Sequence, residues 1–389
     1  MASVIRQLRT SVAPMIDVTD PCFLRMTRLI SPFGNHQLWT EMIHANAFAR
    51  GHIHKDPRKL AQHVPLRELS DFGSGVVVQI GSSSPDDAYE AARQLVKLGV
   101  RSINLNCGCP SRNVQMGSFG AILMKTPHDT ANIVDAMCLA ARGSGCQISV
   151  KCRVGVDEHD SADFLQQFIS EIVGRPRHAD ERPVGIVLHA RKAWLKGLSP
   201  KENRTVPELN YERVYEMLRA FKTTSFIVNG GIDSVDAVAR HLEAADGVMM
   251  GRKVQEDPWF LSQLDHHIYG IPADSLPQPP EVLREYVGFA DHMHEDHGSR
   301  YSVLARPLFA FFQGRKGRSL RAKLAQAMAK AKSPQSTRHE VRYSARFSEI
   351  VLDTVEAADA ERTDCRSSQR DTLPVDARQS SGKQMTACA

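Results

Sequence analysis

The sequence predicts an α/β chain: a (β/α)8 TIM barrel followed by a small all-helical domain and a disordered tail. Three observations lead there. Short apolar strands alternate with amphipathic helices eight times over roughly the first 250 residues, the pattern of a closed parallel barrel. Polar and reactive residues fall just past the strand ends, on the rim where such a barrel carries its chemistry. After Gly270 the pattern gives way to prolines, then basic helices, then a stretch of Ser, Arg, Asp, Thr and Gln.

Taken in order, Ser11–Met15 reads as the first strand. Asp20 caps a helix to Ile30 with Pro21 at its first position, where the missing N–H costs nothing. Gln37–Met42 is the second strand, and Val76–Ile80, apolar throughout, is a third of the type buried on both faces. Pro85 opens a helix to Leu98, with Asp86 and Asp87 in the first turn complementing its dipole. Ser102–Asn106 is strand four, His128–Ala141 a helix and Gln147–Arg153 strand five. Ser161 caps a helix with apolar Phe164, Leu165, Phe168, Ile169 and Ile172 on one face. Val184–His189, Phe226–Asn229 and Gly247–Met250 are strands six to eight, separated by helices Tyr211–Phe221 and Ser234–Leu242.

Pro272, Pro277, Pro279 and Pro280 mark a linker. Helices follow at Glu281–His294, Tyr301–Phe312 (interrupted by Pro307) and Leu320–Lys332. The expected domains are thus a catalytic barrel over 1–270, a basic helical domain over 281–350 and a disordered tail over 351–389.

Composition excludes some classes. The chain has 389 residues, enough for a large core, with 42% hydrophobic and 24% charged content, ordinary for a globular protein. No apolar run approaches the roughly 20 residues that span a bilayer, and Met1–Thr10 lacks the apolar core of a secretory signal. The eight cysteines form no Cys-x-x-Cys framework, which points to reduced thiols in the cytoplasm, or in an organellar matrix. The net charge of +5 is unevenly spread: Arg300–Arg346 holds twelve Lys/Arg against one acid, Glu340. A segregated basic module suits a polyanion partner.

Ile103–Gly120 is the stretch on which the chemistry turns. The strand stops at Cys107-Gly-Cys109-Pro110, so the Cys109 thiol sits in the loop past the strand end, as an acid, a nucleophile, a ligand or an accident of sequence. The other strand ends contribute Pro14 and Met15, Glu41, Gln79, Asn106, Lys151 and Arg153, His189 and Arg191, Asn229-Gly230-Gly231 and Gly251-Arg252. The two late glycine sites fit a barrel's phosphate cradle, completed by the start of the helix near Ser234. With no Gly-x-Gly-x-x-Gly after an early strand and no P-loop, flavin mononucleotide (FMN) suits the remaining groups. Lys151 and His189 would sit near the ring edge that gains negative charge on reduction, Gln79 on its polar edge and Cys109 over its face. Cys-Gly-Cys is not zinc spacing, so no metal is expected.

Ala13-Pro14-Met15, Asn104-Leu-Asn-Cys-Gly-Cys-Pro-Ser111, Val150-Lys-Cys-Arg-Val-Gly155 and His189-Ala-Arg-Lys192 resemble the tRNA-dihydrouridine synthase family. His189–Arg204 and Val228–Ile232 are similar to its A subfamily, which acts at uridines 20 and 20a. The resemblance implies an FMN barrel with a tRNA-gripping helical domain, reduced by NADPH, passing hydride to C6 of a D-loop uridine while a cysteine protonates C5. On that pattern Cys109 is the acid. Pro14, Met15, Ile16, Gln79, Lys151, His189, Asn229, Gly230, Gly231, Gly251 and Arg252 contact the flavin, and Asn106 lies at the uracil pocket. Arg191, Asn203, Arg204 and Arg306 meet the tRNA. The protein is expected as a monomer with no membrane partner. Cys107, where an apolar residue is usual, and Ser82, where glycine is frequent, depart from the pattern.

Two other readings stay in view: a flavin barrel reducing a free pyrimidine or small enone, which has no use for a basic module, and a non-catalytic tRNA-binding protein, which would be colourless.

Overall fold

Nine parallel β-segments close a barrel of eight staves in the computed structural model, which describes residues 9–72, 75–175, 184–312, 314–332 and 343–358. They are β1 (Thr10–Val12), β2 (His36–Trp39), β3 (Ile43–His44), β4 (Val76–Gly81), β5 (Ser102–Asn106), β6 (Gln147–Arg153), β7 (Gly185–His189), β8 (Phe226–Asn229) and β9 (Gly247–Met250). β1 pairs with both β2 and β9, which closes the ring. β2 and β3 both pair with β4, at Leu38↔Val76 and then Ile43↔Ile80, so they are two pieces of one stave. The second predicted strand, Gln37–Met42, is therefore broken at residues 40–42. There the Thr40 hydroxyl accepts the Gln79 N–H at 3.1 Å in place of a ladder bond.

The helices form where caps and apolar faces ask for them. Asp20 accepts the Phe23 N–H at 2.9 Å at the head of Pro21–Ile30. Ser84 and Ser161 cap Pro85–Lys97 and Ala162–Val173 through Asp87 N and Phe164 N. Short helices at Pro57–His63 and Leu66–Phe72 fill the segment between β3 and β4, where the sequence reading found no element.

Strand alternation sorts the side chains. Val76, Val78 and Ile80 of β4, with Ile103 and Leu105 of β5, face the helices and join the large outer core. Ala13, Trp39, Val77, Val187 and Met249 form a separate cluster inside the barrel. Each buried Val or Met here contributes about 1.5–3 kcal/mol. Two residues beyond four of these lies the next inward position, at Met15, Gln79, His189 and Gly251. The same period carries Asn104 to Asn106 and Ser149 to Lys151. The floor is apolar and the layer above it is polar.

The chain divides into two compact units, one up to Phe311 and one from Phe312. In the first, helix Pro279–Glu295 packs on Pro21–Ile30. The predicted helix 301–312 is two, Tyr301–Leu304 and Arg306–Phe311, with the break at Ala305 ahead of Pro307. In the second unit, helix Gly314–Ala331 is followed by an antiparallel bridge, Lys332↔Tyr343, and residues 347–358 are helical. That helix runs through the expected start of the disordered tail at 351. Residues 359–389 of the tail, and residues 1–8, lie outside the described residues. Among the described residues no helix is long and apolar enough to cross a membrane.

Candidate active site

A cavity of about 610 Å³ opens at the C-terminal ends of the strands. All eleven expected cofactor contacts line it: Pro14, Met15 and Ile16 after β1, Gln79 on β4, Lys151 on β6, His189 on β7, Asn229, Gly230 and Gly231 at the end of β8, and Gly251 and Arg252 after β9. Cys109, Asn106 and Arg204 line it too, joined by Met42, Ser111 and Arg153.

A chain of amides holds the polar layer. Asn104 donates to Ser149 Oγ at 2.9 Å, Gln79 donates to Asn104 Oδ1 at 2.8 Å, and Asn106 donates to Gln79 Oε1 at 2.8 Å. Asn106 Oδ1 then accepts the main-chain N–H of Gly108 at 3.1 Å and of Cys109 at 3.0 Å. The turn that presents the thiol is thus built on the last residue of β5. On its far side Ala121 N–H reaches the Cys109 carbonyl at 2.9 Å. Gly120 makes room for that bond: its φ is +78°, and a Cβ there would stand 2.5 Å from the Cys109 oxygen.

Several cationic or imidazole groups line the cavity in different states. Lys151 donates to Asn229 Oδ1 at 3.0 Å, and Asn229 in turn donates to the Met249 carbonyl at 2.8 Å. Burial, with Arg153 nearby, brings its ammonium down to about 8, so it is charged at neutral pH but easily discharged. Burial and four surrounding cations push the His189 imidazole well below its usual value. Its Nδ1 accepts the Arg191 N–H at 3.1 Å, which leaves the proton on Nε2 and makes the ring a neutral donor. The ring packs on Gly230, whose φ is +111° and where a Cβ would come within 3.1 Å of it. Arg252 donates to the Arg204 carbonyl at 3.1 Å, and its charge, after burial, holds the Arg204 guanidinium below its usual value.

The expected RNA-facing residues separate. Arg204 reaches the cavity. Arg191 turns away and donates to the carbonyls of Thr205 and Pro207. Asn203 is fully buried. Its amide nitrogen donates to the carbonyls of Trp194, Leu198 and Ser199, and its oxygen accepts the Trp194 N–H at 2.7 Å, so this side chain shapes the 194–203 loop. Arg306 is exposed at the head of its helix, with its charge facing Asp20 and Glu41. Burial, with Asp20 adding to it, raises Glu41 to about 7, and Glu41 accepts from the Asp17 N–H.

Sequence reasoning placed Arg153 at the rim without a role. It is buried and donates to the carbonyls of Gly108 at 2.8 Å, Lys192 at 3.1 Å and Asn203 at 2.9 Å. Cys107 is buried in the outer core and is a packing residue. Among the described residues no three His, Cys, Asp or Glu side chains gather as a metal site.

A sequence model described as "Dihydrouridine synthase (Dus)" matches residues 11–347. The tRNA-dihydrouridine(20/20a) synthase of Xanthomonas campestris pv. campestris is 38% identical over 81% of this chain and 87% of its own. The protein of the same name from Escherichia coli K12 is 37% identical over 79% of this chain and 82% of its own. Among solved structures, morphinone reductase shares 12% identity over 70% of this chain and 87% of its own, with a TM-score of 0.45.

Proposed function

The chain belongs to the dihydrouridine synthase family of flavin-dependent, uridine-reducing oxidoreductases, and from that membership we propose that it reduces uridine 20/20a in the D-loop of tRNA with FMN and NADPH. The groups around the cavity fit a flavin: hydrogen-bond donors at Gln79, Lys151 and His189 for its electron-rich edge, and glycines at Gly230, Gly231 and Gly251 beside Arg252 for its phosphate. A flavin held by these residues would supply the hydride that uracil C6 receives.

Everything else falls to the chain. Cys109 Sγ–H gives its proton to C5. Asn106 holds the turn that aims the thiol, and its place on the cavity wall suits a contact with the uracil. Lys151 keeps a positive charge where negative charge accumulates, and His189 donates from Nε2–H without adding a charge. The target base must leave its stack to enter the cavity, at a cost of a few kcal/mol. The basic helical segment of 281–350, with Arg204 and Arg306, offsets this through phosphate attraction. The protein works as a cytoplasmic monomer.

The observation that carries this reading is the position of Cys109, on a turn fastened to Asn106 at the mouth of a cavity floored by Lys151, Gln79 and His189. The test is to purify the protein, record its flavin absorbance, and measure dihydrouridine in tRNA after incubation with NADPH. A colourless protein, or equal turnover of free uridine and tRNA, would contradict it.

A further inference from the structure

We propose that Gln115 is a positioning residue for the acid: its side-chain amide joins the turn bearing Cys109 to the 190–205 loop, so that engagement of that loop by RNA sets the place of the thiol. The inference rests on the function proposed above.

Gln115 lies on the short helix Arg112–Met116 that follows the Cys109 turn. Its Nε2 carries two hydrogens. One goes to the Pro110 carbonyl at 2.7 Å and the other to the Leu195 carbonyl at 2.9 Å. Pro110 is the residue after the thiol, and Leu195 stands in the middle of the 190–205 loop. Arg153 makes the same kind of bridge from below, between Gly108, the residue before the thiol, and Lys192 and Asn203 of that loop. Cys109 is therefore flanked by two carbonyls, each sharing a donor with the 190–205 loop. Leu195 is itself fixed, its N–H donating to Asp157 Oδ1 at 2.8 Å.

The loop presents Lys196 and Lys201 to solvent, charges that suit a phosphate backbone. A displacement of this loop reaches Pro110 through one side chain. Gln115 is only half-buried, so water can take over both carbonyls when its amide is removed. The fold then survives while the coupling is lost, which distinguishes it from the buried Arg153.

The test uses the full-length flavin-loaded enzyme. Gln115→Met keeps the side-chain length and removes both donors. Its flavin content and its reduction by NADPH are expected to match wild type, while kcat for dihydrouridine in tRNA falls about tenfold or more and KM for tRNA changes by less than about twofold. The rate at which iodoacetamide alkylates Cys109, followed by peptide mapping, is expected to change in the same variant. Gln115→Lys retains a donor for both carbonyls and should keep most of the rate, whereas Gln115→Glu, aiming a carboxylate at them, should lose it. The Lys/Glu comparison decides the matter even if the Met variant loads flavin poorly. Full kcat in Gln115→Met, a loss confined to KM, or equal losses in the Lys and Glu variants would overturn the inference. A wild-type enzyme that forms no dihydrouridine, or a Cys109→Ala enzyme that forms it at full rate, would instead strike the functional reading itself.

Discussion

The side-chain oxygen of Asn106 accepts the main-chain N–H of Cys109 at 3.0 Å, while its amide nitrogen holds Gln79 at 2.8 Å. One residue thus links the Cys109 turn to the amide chain of the polar layer above the barrel's apolar floor. Asn106→Ala leaves both partners unpaired in a buried setting, and a placement error near 1 Å at the thiol costs about a hundredfold. The expected result is a variant that holds its flavin but forms dihydrouridine at least about tenfold more slowly. Flavin absorbance and single-turnover product assays measure the two separately.

Lys151 discharges as pH rises through about 8, because burial opposes its charge. The ammonium is present below that pH and lost above it. Flavin reduction by NADPH is therefore expected to slow as pH passes 8, with the midpoint moved upward by a bound anionic cofactor. Lys151→Met should be slow at every pH between 6.5 and 9.5, without that step. Stopped-flow traces across this range check both.

Glu41 binds its proton more tightly folded than unfolded, at about 7 against its ordinary 4.5. Between those values the native state holds more protons, so this group's contribution to stability falls as pH rises through the window. Glu41→Gln removes the cost of a buried carboxylate while keeping an acceptor for the Asp17 N–H. Its melting temperature should exceed wild type at pH 8, and by a smaller margin at pH 5.

The basic helix of the second unit should act through charge alone. Replacing Arg318, Lys323 and Lys330 together by Gln is expected to weaken tRNA binding across sequences and to lower the slope of log K against log salt by about two to three. Filter-binding titrations at several salt concentrations measure it.

Most of the barrel was legible because its strands are apolar runs ended by polar residues: β5, β6, β8 and β9 lie where the pattern put them. The inner-face period also brought the expected cofactor contacts to one cavity. The break between β2 and β3 was not legible, since it depends on the Thr40 hydroxyl replacing a ladder bond to a strand 39 residues away. Arg153 and Gln115 escaped for the same reason: their partners lie up to 50 and 80 residues off and are backbone carbonyls, which leave no mark in the sequence. Asn203 was expected at the RNA from the family resemblance alone; its amide is spent on its own loop, a bond to nearby carbonyls that no sequence pattern announces.

The central claim is that Cys109 delivers the proton to C5. Its most direct test is the Cys109→Ala enzyme, loaded with flavin and reduced by NADPH, then mixed with unmodified tRNA and assayed for dihydrouridine by mass spectrometry, beside Cys107→Ala. Normal flavin reduction with dihydrouridine lost in Cys109→Ala and kept in Cys107→Ala is the expected result. Dihydrouridine at the wild-type rate in Cys109→Ala would contradict the account.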